Sequence, residues 1–214
     1  MSGRDHYFAV EMRITGTLSL IASAFILLTY YLFEDLRTRR YIKLIVCVSI
    51  CCFMQSVAVL LGPSLETDTF ACWFQGLTLN YFTLACVLWV LIIAYELYTV
   101  IISSNIVAWP VSYYHKYCWI FPLVTSLLPL TTNTYGNNAG GGVVCFIADR
   151  SDSPQWGKTF WIIASFYFWL WSGIIFICYC FIKIYQYRSK QAINNNKNPT
   201  NSNSSRFNVL AIYP

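Results

Sequence analysis

The chain has 214 residues, of which 57% are hydrophobic and 11% charged, and its formal net charge is +5. Soluble chains carry roughly 25% charged residues, so this composition excludes an ordinary water-soluble domain. Its basic residues form no stripe with interleaved aromatics of the kind that grips nucleic acid, and no nucleic-acid partner is expected.

Five runs meet the requirement of about 20 mainly apolar residues to cross roughly 30 Å of hydrocarbon. The first predicted span is 12–33. It is too long for the apolar core of a signal peptide, and no small-residue cleavage site follows, so it reads as a retained membrane helix. A short loop with Arg37, Arg39, Arg40 and Lys43 leads to the second span, 44–62. The third, 73–102, starts after Cys72, carries Gln75 and Asn80 in its first half and Glu96 near its end, and is long enough to tilt. In the fourth, 117–135, Pro122 and Pro129 each remove a backbone donor and favour kinks. A Gly-rich and then polar segment, 136–158, precedes the fifth span, 159–182, which is rich in aromatics including Phe160 and Trp161. Residues 1–185 therefore read as one five-helix transmembrane region. Residues 186–205 read as a disordered Asn/Ser-rich loop, and "RFNVLAIYP" (206–214) as the start of a sixth helix.

These runs are apolar nearly all round, as helices facing lipid are, and helices satisfy every backbone group where water is absent. The fold class is thus an all-α membrane protein with the lipid bilayer as its solvent. Lysine and arginine in the flanks set the orientation. One side holds Arg4, Arg13, Arg150 and Lys158; the other holds Arg37, Arg39, Arg40, Lys43, Lys116, Lys183, Arg188, Lys190, Lys197 and Arg206. Four against ten predicts an extracellular N-terminus and a cytosolic C-terminus, in the plasma membrane.

Seven of the nine cysteines lie within apolar runs and read as small hydrophobes. Cys72 and Cys145 fall at extracellular positions, where an oxidising environment favours a disulfide. Such a bridge would pin the outer loop to the top of the third helix. Glu96 stands 24 residues after Cys72, hence roughly 36 Å further along a helix. That distance exceeds the hydrocarbon thickness, so a solvated acid at the helix end is the first expectation. The alternative is a polar lock with Arg37, Arg39 or Arg40. No catalytic motif is present, and the two histidines, His6 and His115, fall on opposite sides of the membrane and cannot share a metal. No enzyme, cofactor or metal site is expected. Gln75, Asn80, Phe160 and Trp161 are candidates to line an outward pocket, and Arg150 and Lys158 to bind an anion.

The stretches "FACWFQGLTLNYFTLACVLWVLIIAYELYTVI" (70–101), "YYHKYCWIFPLVTSLLP" (113–129) and "VVCFIADR" (143–150) resemble the third helix, the fourth helix and the outer-loop motif of the slime-mould cyclic-AMP receptor family. The resemblance covers about residues 12–185. It implies the first five helices of a seven-helix receptor bundle. It also implies an extracellular ligand, with cyclic AMP a candidate, and a heterotrimeric G protein as partner on the side of Arg37, Arg39, Arg40 and Glu96. The outer face carries six acids, Asp5, Glu11, Glu66, Asp68, Asp149 and Asp152, against four bases, which leaves the ligand open to another small molecule. Eight apolar-leaning residues after Arg206 are too few to cross a bilayer, so a chain shortened before its sixth and seventh helices is expected. Two alternatives follow: a non-signalling partner that associates with full-length receptors in an oligomer, or a transporter or channel subunit. The second would favour polar groups at mid-membrane or paired broken helices.

Overall fold

The structure is a computed structural model and describes residues 3–61, 69–103, 109–132, 134–137, 144–147 and 157–197. The elements run α1 (Gly3–Leu32), α2 (Glu34–Thr38), α3 (Arg40–Leu61), α4 (Phe70–Ser103) and α5 (Val111–Leu127). A 3-10 turn (Leu128–Thr132) and a hairpin of β1 (Tyr135–Asn137) and β2 (Cys145–Ile147) follow. The last helix has three parts: α6 (Gly157–Ile162), a π-helical turn (Ile163–Tyr167) and α7 (Phe168–Lys197). The predicted spans correspond to α1, α3, α4, α5 and α6 through α7.

Among the described residues, four stretches are long and apolar enough to cross a membrane: His6–Leu32, Arg40–Leu61, Phe70–Ile102 and Thr159–Asn194. The fourth predicted span is built differently. Its helix starts earlier, at Val111 after Pro110, and stops at Leu127. Pro129 has no N–H to extend the α ladder, so the chain tightens into the 3-10 turn. Together the two pieces are about 36 Å long. Thr134 then caps the turn, its N–H and hydroxyl both donating to the Pro129 carbonyl at 3.3 and 2.9 Å. Tyr135, expected at the end of the span, starts a strand instead.

The chain also departs from the expected boundary at residue 185. α7 continues to Lys197, so the first part of the predicted disordered loop is helical. Residues 183–191 are mostly Lys, Gln, Arg and other residues tolerant of helix, with no Gly or Pro to stop the ladder. The predicted start of a sixth helix, 206–214, lies outside the described residues.

The chain divides into two compact units, one of Met1–Ile93 with Trp109–Ile174, the other of Ala94–Ala108 with Ile175–Pro214. The core of the first unit joins three helices. Leu44, Cys47 and Cys51 of α3 meet Ala85, Leu88 and Trp89 of α4 and Tyr114 and Cys118 of α5. An aromatic group extends it: Trp119 Nε1–H donates to His115 Nδ1 at 3.1 Å, and the Trp89 ring lies 5.0 Å from His115 and 5.9 Å from Trp119. α1 packs along α3 and leaves Leu18, Ile21 and Phe25 exposed on its other side, as a lipid-facing helix does. Thr15, Thr17, Ser23 and Thr29 donate to the Glu11, Arg13, Ser19 and Phe25 carbonyls one turn back.

Candidate functional site

One face of α4 is defined by spacing. Cys72, Gln75, Gly76, Leu79 and Asn80 recur at three- and four-residue intervals, which places them on one side of a helix. All five are buried. The hairpin lies over this face. Its register pairs Tyr135 with Ile147, Gly136 with Phe146 and Asn137 with Cys145. Alternation sends Tyr135 and Ile147 to one side of the ribbon, and both are buried.

Three kinds of link hold the hairpin down. Cys72 and Cys145 form a disulfide, as expected, with their Cα atoms 5.3 Å apart. Gln75 spans two elements: its Nε2–H donates to the Ala58 carbonyl of α3 at 2.8 Å, and its Oε1 accepts from the Cys145 N–H at 3.0 Å. Asn80 Nδ2–H donates to the Tyr135 hydroxyl at 3.0 Å, and that hydroxyl donates to the Ser126 carbonyl of α5 at 2.8 Å. Gly76 makes the close approach sterically feasible. A Cβ there would lie 2.8 Å from Tyr135 Cδ1 and 3.4 Å from the Cys145 carbonyl oxygen.

The last helix joins the same end of the unit. Trp161 Nε1–H donates to Thr132 Oγ1 at 2.7 Å, tying α6 to the turn after α5. Phe146 of β2 meets the Phe166 ring edge-on at 5.9 Å. Phe166 and the buried Ser165 belong to the π turn, where the Phe168 N–H bonds to the Ile163 carbonyl. One extra residue per turn rotates the helix faces on either side of such a turn relative to a continuous α-helix.

The sequence-predicted residues thus divide into three groups. Cys72, Cys145, Gln75, Asn80 and Trp161 are brought together around the hairpin. Gln75 and Asn80 are buried and engaged in fixing its position, and Gln75 also lines a cavity of about 250 Å³ with Met54, Ala58, Phe74 and Thr78. Phe160 is half exposed, with its ring 5.0 Å from Trp161. Lys158 lies in α6; Arg150 lies outside the described residues. Sequence reasoning overlooked Gly76 and Tyr135. The first was findable, since it follows Cys72 by one helical turn. The second was assigned to a helix and gave no such signal.

At the far end of the chain's first loop, Arg37 donates to the Tyr30 and Tyr31 carbonyls, closing the end of α1. Arg39 is the exposed, extended residue between α2 and α3. Arg40 donates to the Trp109 carbonyl and lies over the Tyr114 ring at 5.9 Å. The expectation of a solvated Glu96 is corrected: its side chain is only 2% exposed. α4 runs past it to Ser103, so it sits inside the helix and not at its tip.

Chemically, the hairpin site consists of amides, hydroxyls and aromatic rings. Two buried oxygens, Asn80 Oδ1 and Ser126 Oγ, have no hydrogen-bond partner among the described residues. The same residues contain no cluster of three or more His, Cys, Asp or Glu side chains suited to a metal ion.

Long apolar helices, an end-capping hairpin and its disulfide define a helical multi-pass membrane protein. Its architecture is that of the seven-helix receptors: squid rhodopsin superposes with a TM-score of 0.71 over 96% of this chain and 62% of its own, at 14% identity, a likeness of fold alone. The family described as slime mold cyclic AMP receptor matches residues 5–200, and the chain belongs to that family. Among curated relatives, "Cyclic AMP receptor-like protein A" of Dictyostelium discoideum is 28% identical over 137 residues, 63% of this chain and 35% of the relative. "G-protein coupled receptor 1" of Arabidopsis thaliana is 29% identical over 171 residues, 79% of this chain and 49% of the relative. "Cyclic AMP receptor 4" of Dictyostelium discoideum is 29% identical over 116 residues, 49% of this chain and 25% of the relative. The chain spans at most about half the length of these relatives.

Proposed function

We propose that this protein is a G-protein-coupled-receptor-like sensor of an extracellular small molecule, with its N-terminus outside the cell and its C-terminus in the cytosol. The observation that supports this most is the stapled hairpin. Cys72–Cys145, Gln75 and the Asn80–Tyr135–Ser126 chain of hydrogen bonds hold the β1–β2 hairpin against α4. A loop fixed in this way is a preorganised cover for a ligand mouth, since its ordering cost is met before the ligand arrives. Phe160, Trp161, Arg150 and Lys158 are the proposed contacts beside it. A cyclic nucleotide is the first ligand class to test, because family membership and two relatives' names point there. Arg37, Arg39, Arg40 and Glu96 are proposed for the opposite, G-protein-facing side, and the plasma membrane as the location.

The experiment has two arms. Epitope tags at both ends are read on intact and permeabilised cells. The reading expects the front tag to be accessible without permeabilisation and the rear tag only with it; the reverse pattern overturns it. The purified chain is then heated with a panel of cyclic nucleotides. A true ligand at 100 times its Kd adds about 2.7 kcal/mol to the folded state. The Cys72→Ala, Cys145→Ala double variant should lose that response. A response unaltered in the double variant would separate the hairpin from ligand binding.

A further inference from the structure

The second unit contains a cavity of about 300 Å³ unrelated to the hairpin. Tyr98 and Ile102 of α4 form one wall, and Tyr179, Lys183, Gln186, Tyr187 and Lys190 of α7 the other. The α7 residues recur at three- and four-residue steps and so share one face. Lys183 Nζ lies 5.6 Å from the Tyr179 ring centroid, and the Tyr98 and Tyr179 rings are 6.4 Å apart. Tyr187 already accepts a hydrogen bond from Gln191 Nε2–H at 2.9 Å. α7 contains no Asp or Glu. Glu96, on the other wall's helix, is roughly 200° round from Tyr98. The lining therefore offers two ammonium groups, three phenols and the Gln186 amide, and no carboxylate.

The position along α7 is as informative as the charge. Ahead of Lys183 the helix is apolar, with Ile175 and Ile182 exposed on the flank of the cavity. From Lys183 onward it turns basic, with Lys183, Arg188 and Lys190 all exposed. An apolar surface that meets cations and tyrosines at one level is the pattern of the bilayer interface. A soluble anion would have no use for the adjoining apolar flank, whereas a lipid uses both.

We propose that this cavity binds the headgroup of an anionic phospholipid, with Lys183 and Lys190 on its phosphate, the tyrosines as hydrogen-bond donors, and the acyl chains along the Ile175–Ile182 flank. Its assignment to the cytoplasmic leaflet rests on the orientation proposed above, whereas lipid capture itself does not. Each lysine on the phosphate contributes about fivefold to the binding of anionic lipid, hence about thirtyfold for the pair. The test is native mass spectrometry of the detergent-purified chain titrated with phosphatidylinositol 4-phosphate, phosphatidylserine and phosphatidylcholine. The expected result is retention of the anionic lipids over phosphatidylcholine. Lys183→Ala with Lys190→Ala should weaken retention at least tenfold, and Lys183→Arg with Lys190→Arg should keep it. Arg188→Ala, outside the cavity lining, should change it less than threefold. Equal retention of phosphatidylcholine, or an unaltered double alanine variant, overturns the proposal. So does displacement of the lipid by inorganic phosphate or inositol phosphate at equal concentration, because that would assign the site to a soluble anion. Detergent exposes both ends of the chain, so failure here and failure of the orientation in the tag experiment are separate results.

Discussion

Replacing Gly76 with alanine tests the cap most directly, because two physical terms of opposite sign compete there. In a helix interior, alanine is favoured over glycine by about 1 kcal/mol. At Gly16 nothing opposes that gain: a Cβ would meet Leu60 and Val59 side chains at 3.5 Å, an ordinary contact. At Gly76 the Cβ would fall 2.8 Å from Tyr135 Cδ1 and 3.4 Å from both the Cys145 oxygen and Phe146 Cα. Tyr135 is not free to turn away, since its hydroxyl is held by Asn80 and Ser126. Overpacking of this kind costs about 1–3 kcal/mol. The net expectation is a loss of up to about 2 kcal/mol for Gly76→Ala and a gain of up to about 1 kcal/mol for Gly16→Ala. Both are measured by thermal unfolding of the purified chain in one detergent. Tyr135→Ala removes the obstructing ring, so the cost of Gly76→Ala should shrink by about 0.5 kcal/mol or more in that background. If Gly76→Ala is as stable as Gly16→Ala, or if the two changes at 76 and 135 simply add, the hairpin does not sit on α4 as described.

Other outcomes follow from the same contacts. Tyr135→Phe leaves the buried Asn80 amide and Ser126 carbonyl each short of a partner, and should destabilise by about 1–3 kcal/mol; Asn80→Ala added to Tyr135→Phe should then cost less than Asn80→Ala in the parent. Gln75→Ala strands the Ala58 carbonyl and the Cys145 N–H together, so hydrogen exchange at Cys145 should accelerate at least tenfold while the disulfide stays intact on a non-reducing mass map. Removing the disulfide opens a link across 73 residues, for which chain entropy allows about 4 kcal/mol as an upper bound. Exchange should rise in 135–137 and 144–147 and stay unaltered in the α3–α4–α5 core. Arg40→Ala should free the segment before α5, seen as faster proteolysis near Trp109, with about 1 kcal/mol lost overall because the hydrogen bond to the Trp109 carbonyl is exposed.

Much of the architecture was legible from the chain because lipid imposes a simple rule. A backbone without water must satisfy itself, and long apolar runs can do so only as helices. That rule located α1, α3, α4 and the last helix without reference to any neighbour. The partnership of Cys72 with Cys145 was legible for a similar reason, since the two thiols are assigned to one face of the membrane before any contact is known. What remained hidden depended on which surfaces meet. The predicted fourth span runs on to Tyr135, yet Pro129 breaks the ladder and Tyr135 leaves the helix to close the cap. That Gln75 and Asn80 also fasten the hairpin could not be read from the chain; only the hairpin's position gives them that part. Glu96 was placed by counting along a single helix, which measures depth and says nothing of what encloses a side chain. The sequence by itself thus determined where helices form and which thiols can bridge, because hydropathy and charge act along the chain. Tertiary structure decided which polar groups are spent on holding the cap, because burial and hydrogen bonding are properties of pairs distant in sequence.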